Sequence, residues 1–169
     1  QTTLTGSDNV VKAELTGSNV ERLAKGFKDT VSHSETFELL AGSTVTVLEI
    51  DDPCELESLM IGANYPAVYL RVENRREDGS WDNGMRIVDT GGRYHNPISA
   101  SQINGIGGEN DYWKLFVYDD NNNRYAYGMK RKSTFGNGLR LRVTNNNAES
   151  YNVSISLLGT RYHKGVGYS

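Results

Sequence analysis

Hydrophobic and polar residues alternate along most of the chain after Glu35. The segment Ala67–Asn74, for example, has aliphatic residues at every second position and polar residues, including Glu73, between them. A period of two residues indicates a β-strand with one buried face and one face in solvent. The aliphatic positions that this pattern predicts to be buried are Val68, Leu70, Val72, Leu139, Leu141, Val143, Val153, Ile155 and Leu157.

Short runs of this kind recur between turn-forming clusters and predict about nine or ten strands. The clearest runs are Thr36–Ala41, Thr44–Ile50, Glu55–Ile61, Ala67–Asn74, Met85–Asp89, Tyr112–Asp120, Arg124–Lys130, Leu139–Asn145 and Tyr151–His163. Asp78-Gly79 and Asn121–Asn123 suit the turns of tight hairpins. We therefore predict an all-β fold, an antiparallel two-sheet β-sandwich that most resembles a jelly roll. No segment predicts a long amphipathic helix.

Residues 1–33 differ from the rest, since they are polar and contain only scattered apolar residues, too few for a core. They are predicted to form an extended arm, and residues 34–169 the sandwich domain. Leu4, Thr5, Gly6 and Ser7 recur as Leu15, Thr16, Gly17 and Ser18. A β-forming step followed by a flexible one lets such a segment add strands to the sheet edge of another chain. Turns in a disordered linker are the alternative interpretation.

Aromatic residues mark a second candidate region. Gly91–Asn110 is predicted to be a long loop, and loops of that length are often functional. Trp81, Tyr94, His95 and Tyr112 lie in or next to the two most irregular segments, of which this loop is one, and could bind a glycan or form an interface. Trp113, in contrast, alternates in register with Leu115 and Val117 and is predicted to be a core residue.

Composition narrows the possible functions. The chain has 18 glycines, 10 tyrosines and 3 prolines, which fits turn-rich β-structure, and its net charge of -3 favours no nucleic-acid partner. No run of about 20 apolar residues predicts a membrane span. The single cysteine, Cys54, allows no internal disulfide and is interpreted as a packing residue.

Residues with catalytic chemistry do not form a recognisable pattern. His33, His95 and His163 lack paired metal-ligand spacing, and Glu55 and Glu57 are better explained by an outward polar face than by a catalytic pair. Asp119–Asn123 begins like a calcium loop, but Arg124 stands where that loop needs glycine. We therefore expect no enzyme activity, no cofactor and no metal.

The layout of the chain resembles a known group of proteins. A polar arm with LTGSDNVV and LTGSNVER, followed by a β-domain ending in GNGLRLRVTNNNAESYNVSISLLGTRY, is similar to the accessory structural proteins of tailed-phage virions, such as jelly-roll head decoration and tail-associated proteins. The resemblance implies a multi-copy, non-enzymatic virion protein, commonly a trimer, that binds the major capsid protein or another virion protein.

Two hypotheses follow from the sequence. The first is a capsid decoration or cement subunit on the virion surface, held to the particle and to neighbouring copies by its N-terminal arm. The alternative is a carbohydrate-binding module or receptor-binding tail domain that uses Trp81, Tyr94 and Tyr112.

Overall fold

The computed structural model of the protein describes residues 28–163, which form twelve strands and one short helix. The strands are β1 (Lys28–Leu39), β2 (Thr44–Ile50), β3 (Cys54–Ala63), β4 (Tyr69–Arg75), β5 (Trp81–Asn83), β6 (Ile87–Val88), β7 (Tyr94–His95), β8 (Trp113–Asp119), β9 (Arg124–Met129), β10 (Ser133–Phe135), β11 (Leu139–Thr144) and β12 (Tyr151–Tyr162). The helix α1 (Ala100–Gly105) lies between β7 and β8.

The strands form two main antiparallel sheets. The larger sheet has the order β1-β12-β3-β9-β8, and β10 also pairs with β3. The smaller sheet has the order β2-β11-β4-β5, and β6 and β7 form a separate hairpin. This arrangement confirms the predicted all-β antiparallel sandwich.

The inner faces of the two sheets form a single hydrophobic core. Every aliphatic residue that alternation predicted to be buried is at most 3% exposed. Trp113 is also completely buried, as predicted, and its ring packs edge-on against Tyr127 at a centroid distance of 5.8 Å. The sequence pattern therefore identified the inner faces of β4, β11 and β12 correctly.

One polar position departs from the prediction. Glu73 lies on the outer face of β4 but is only 4% exposed, although its alternation predicted a solvent-facing side chain. Arg140 and Arg142 on the neighbouring strand β11 cover its carboxylate. Alternation with a period of two assigns a residue to one face of its strand. It does not show whether side chains from a neighbouring strand cover that residue.

β1 begins earlier than the sequence predicted. Residues 28–33, which sequence analysis placed in the arm, belong to β1, and they pair with β12 from Lys28↔Tyr162 to His33↔Leu157. Their alternation was obscured because two polar residues, His33 and Glu35, have the same strand parity as Val31 and Phe37 and pair with Leu157 and Ile155. Both copies of the Leu-Thr-Gly-Ser phrase, Leu4–Ser7 and Leu15–Ser18, lie outside the described residues.

The segment Gly91–Asn110, which the sequence predicts to be a long loop, includes regular secondary structure. It contains β7 and α1, and α1 begins with a capping box in which Ser99 Oγ accepts a hydrogen bond from Gln102 N at 3.3 Å. The backbone N of Ser99 donates in return to Gln102 Oε1 at 3.1 Å. These elements and the three-residue strands β5 and β10 are too short to show a period.

The two predicted hairpin turns are present. β4 and β5 pair around Gly79, which adopts a positive φ of 86°. β8 and β9 pair around Asn121–Asn123, where Asn123 has a φ of 51°. The Asp119 carboxylate accepts hydrogen bonds from the backbone N–H groups of Asn121 and Asn122, so these residues build a turn.

Candidate functional site

A cleft of about 780 Å³ opens beside the smaller sheet and is the first candidate site. We call it the tyrosine cleft. Its lining comprises Asn83, Gly84, Met85, Arg86, Val88, Tyr94, Asn110, Asp111 and Tyr112. Three separate chain segments thus meet there: the end of β5 with the residues after it, the β6–β7 hairpin, and the residues that precede β8.

Hydrogen bonds fix these segments to one another. Trp113 Nε1 donates to the carbonyl of Met85 at 2.8 Å, and Asn110 Nδ2 donates to the carbonyl of Arg86 at 3.3 Å. Asn110 Oδ1 also accepts from the backbone N of Tyr112 and of Trp113. The Asn110 side chain therefore holds the two walls of the tyrosine cleft together.

The β6–β7 hairpin, which carries Val88 and Tyr94, is organised around Asp89. Its carboxylate accepts hydrogen bonds from His95 Nε2 at 3.0 Å, from the backbone N of Gly91 and Arg93, and from Arg93 Nε. The hydrogen bond from His95, followed by those from the backbone, holds the pKa of Asp89 far below its usual range. The turn that presents Tyr94 is thus fixed by an ionised carboxylate.

The structure brings only two of the four predicted loop residues into the tyrosine cleft. Tyr94 is 69% exposed and Tyr112 is 40% exposed, and both line it. Trp81 does not line the tyrosine cleft. The guanidinium groups of Arg140 and Arg75 instead lie over its ring, 4.5 and 5.7 Å from the ring centre. His95 is bound to Asp89 instead.

The polar residues of the tyrosine cleft were not predicted from the sequence. Asn83, Arg86 and Asp111 line it, but each is an ordinary surface residue in the sequence. Arg86 places its guanidinium 5.6 Å from the centre of the Tyr94 ring. The spacing of 8 residues between Arg86 and Tyr94 becomes a contact only because β6 and β7 form a hairpin.

The outer face of the larger sheet is a second candidate site. Most outward positions near its centre, on β1, β12, β3, β9 and β8, carry no charged side chain. We call these positions the uncharged face: Ser32, Ser34, Thr36, Ser154, Ser156, Leu158, Ser58, Met60, Gly62, Ala126, Gly128, Phe116 and Val117. Charged side chains surround them: Glu57 is exposed beside Ser58, and Glu35, Glu38, Lys114 and Arg124 lie around the face.

Apolar side chains protrude from the uncharged face beside shallow grooves. Met60, Phe116, Val117 and Leu158 are all exposed. The grooves, of about 380 and 290 Å³, share Gly62, Ala126 and Ser154 in their lining. Hydroxyl pairs, including Thr36 with Ser154 at 2.9 Å, satisfy one another across β1 and β12.

The outer face of the smaller sheet is different, because it is highly charged. Glu73 accepts hydrogen bonds from the Nε atoms of Arg140 and Arg142 at 2.9 and 2.7 Å. Burial alone would raise the pKa of Glu73, but the hydrogen bonds and positive charges of the two arginines outweigh it and lower that pKa. This pairing accounts for the buried carboxylate as a structural element of the sheet.

Other side chains that could act as nucleophiles, bases or metal ligands are buried or hydrogen-bonded to neighbouring residues. Burial raises the pKa of the Cys54 thiol to about 11, so it is protonated at neutral pH. Within residues 28–163, no three histidine, cysteine or acidic side chains gather into a group that could hold a metal ion. His33 bonds Glu35, and His163 bonds Asp29.

Comparison with known proteins gives no family. No protein-family model matches the chain, and a search of curated proteins finds no significant match. In the part of the chain that the structure describes, no helix is both long and apolar enough to cross a membrane.

Proposed function

We propose that the protein is a non-enzymatic structural subunit of a larger assembly and, following the resemblance of its sequence, that this assembly is a virion. In this role it decorates or cements the capsid surface and contacts neighbouring copies of itself. The main observation that supports this proposal is the uncharged face of the larger sheet. It supplies a contact surface in addition to the N-terminal arm.

The uncharged face shares with interface cores a scarcity of charged side chains and several exposed apolar ones, although it is rich in serine. Protein–protein interfaces are depleted of charged residues at their centre and surrounded by a polar rim. Met60, Phe116 and Leu158 protrude into solvent beside a floor of Gly62 and Ala126. Grouped exposed apolar side chains of this kind mark interaction sites.

The size of the uncharged face explains why an arm would be needed as well. Five strands at about 4.8 Å spacing and at most about five residues of 3.3 Å on each strand span roughly 400 Å² on each partner. A pair of such faces would bury about 800 Å², which is below the roughly 1,000 Å² of a stable interface. A second contact through residues 1–27 would raise the effective concentration and stabilise the assembly.

The strand order supports the jelly-roll form of the sandwich. Successive strands alternate between the two sheets at both ends of the chain, from β1 to β4 and again from β10 to β12. β12 lies between β1 and β3 in one sheet, and β11 lies between β2 and β4 in the other. Interleaving of early and late strands is what two Greek keys produce, as in jelly-roll capsid domains.

The first experiment tests self-association through the uncharged face. We expect the full chain to be an oligomer by light scattering and the double variant Met60→Glu, Leu158→Glu to dissociate, because each buried carboxylate would be unpaired. Leu40→Glu is the matched control, since Leu40 is an exposed aliphatic residue in the turn between β1 and β2. A monomeric wild-type chain, or a double variant of unchanged mass, would contradict the proposal.

Deletion of the arm should stop at Phe27, because β1 begins at Lys28. We expect a chain lacking residues 1–27 to keep the melting temperature of the sandwich but to lose mass in light scattering. The virion assignment has its own measurement: the chain should co-purify with density-banded virus particles in many copies per particle. Its absence from such particles would exclude a virion role while leaving self-association intact.

A further inference from the structure

We propose that the tyrosine cleft binds a neutral saccharide, stacked on Tyr94 and Tyr112 and hydrogen-bonded by Asn83, Arg86 and Asp111. This activity is separate from assembly, because the residues that line the tyrosine cleft do not overlap those of the uncharged face. The volume of about 780 Å³ lies within the range of sites for small ligands.

Two aromatic rings of the tyrosine cleft are exposed to solvent close to one another. Tyr94 and Tyr112 are 69% and 40% exposed. Arg86 stands over one face of Tyr94, and the high exposure of the ring leaves its other face accessible. Exposed tyrosines provide a flat apolar surface for the C–H face of a sugar ring, and their hydroxyls bond to water or ligand.

Hydrogen bonds hold the backbone of the tyrosine cleft in one arrangement. Met85 has a φ of 54°, a left-handed conformation that is strained for a residue with a Cβ. The bonds from Trp113 Nε1 to the Met85 carbonyl and from Asn110 Nδ2 to the Arg86 carbonyl hold this backbone. Strained residues held by their surroundings concentrate at functional sites, and a preformed site loses less entropy when it binds.

The charged residues of the tyrosine cleft indicate the charge of the ligand. Arg86 and Asp111 both line the tyrosine cleft, and neither forms an ion pair with another residue among those described. Asp111 would repel a phosphate or carboxylate ligand while Arg86 would attract it, so the two groups together favour no anion, whereas a hydroxyl can donate to the carboxylate and accept from the guanidinium. A polyhydroxylated, uncharged ligand is thus the chemistry that suits both groups.

The experiment is a printed array of neutral and acidic glycans probed with the labelled full chain, followed by titration of the best neutral glycan. We expect the double variant Tyr94→Ala, Tyr112→Ala to lower affinity at least about tenfold, because both stacking surfaces are removed. Tyr162→Ala is the matched control: Tyr162 is 39% exposed but lies on β12, where Lys28 packs over its ring.

Stability must be measured on the same samples. The melting temperature of the double variant should stay near that of the wild type, since both rings are largely in solvent. Binding to no neutral glycan, binding confined to acidic glycans, or binding that survives in the double variant would each overturn the proposal. None of these results bears on assembly, which is read from the mass of the Met60→Glu, Leu158→Glu variant.

Discussion

Glu73 shows how a single residue can stabilise a sheet from its outer face. Its carboxylate is shared by Arg140 and Arg142, and Arg140 in turn covers the ring of Trp81. β4, β5 and β11 are thereby joined through side chains as well as through their backbone. A charge that is this well buried stabilises the fold only while both arginines remain in place.

Replacement of this carboxylate should be costly. We expect Glu73→Gln to lower the free energy of unfolding at pH 7 by about 3 kcal/mol, because two partly buried guanidinium groups lose their counter-charge. Urea denaturation measures the change. Glu49→Gln is the control, since Glu49 is half exposed and its carboxylate lies 3.9 Å from Arg140; it should cost less than about 1 kcal/mol. Equal losses in the two variants would refute a special role for Glu73.

The same residue predicts a pH dependence. The pKa of Glu73 in the folded protein lies below its ordinary value of 4.5, so the folded state binds this proton more weakly than the unfolded state does. Its stabilising contribution is therefore complete above pH 4.5 and is lost as the pH falls towards the lowered pKa. We expect the loss of stability between pH 5 and pH 3 to be shallower in Glu73→Gln than in the wild type. Identical slopes would contradict this assignment.

At the scale of elements, β-bulges determine which residues face outwards. In β3, Cys54 and Leu56 face the core and so do Leu59 and Ile61, although the two pairs differ in parity. The change occurs where Leu158 pairs with Ser58 but Gly159 pairs with Leu56, which leaves Glu57 as an extra residue. A similar shift in β8 leaves Phe116 unpaired, and both Phe116 and Val117 are exposed on the uncharged face.

The bulge in β3 requires a glycine on the partner strand. A Cβ at Gly159 would overlap the carbonyl oxygen of Glu55, which is backbone and cannot rotate away. We expect Gly159→Ala to destabilise the protein by about 2 kcal/mol or more, measured by thermal or urea unfolding. Gly136→Ala is the control, because a Cβ there meets nothing within 4 Å. If Gly159→Ala leaves the free energy of unfolding unchanged, β3 and β12 can move apart at this position without loss of stability.

At the scale of the whole molecule, the two sheets have outer faces of opposite character. One is covered by arginine–carboxylate pairs and the other has an uncharged centre with protruding apolar residues. The tyrosine cleft lies at neither face but beside the edge of the smaller sheet. Assembly through one face would leave the other face and the tyrosine cleft open to further partners.

The reactivity of Cys54 towards a thiol reagent can show whether the sandwich unfolds as one cooperative unit. Cys54 is buried between the sheets, and burial raises the pKa of its thiol to about 11, so both access and thiolate fraction are low at pH 8. We expect a thiol reagent to label native protein only at the rate at which the sandwich opens, and to label it rapidly above the urea midpoint. Fast labelling in native buffer would show that the strands around Cys54 open locally.

The sequence by itself determined the fold class, most strands and the inner faces of β4, β11 and β12, because alternation is a local property of one strand. It also selected Tyr94 and Tyr112 as candidate binding residues, and both line the tyrosine cleft. Tertiary structure decided the rest: the burial of Glu73, the stacking of arginines on Trp81, and the meeting of Asn83, Arg86 and Asp111 in the tyrosine cleft. Each of these depends on which strands become neighbours, and that is set by the packing of residues distant in the chain.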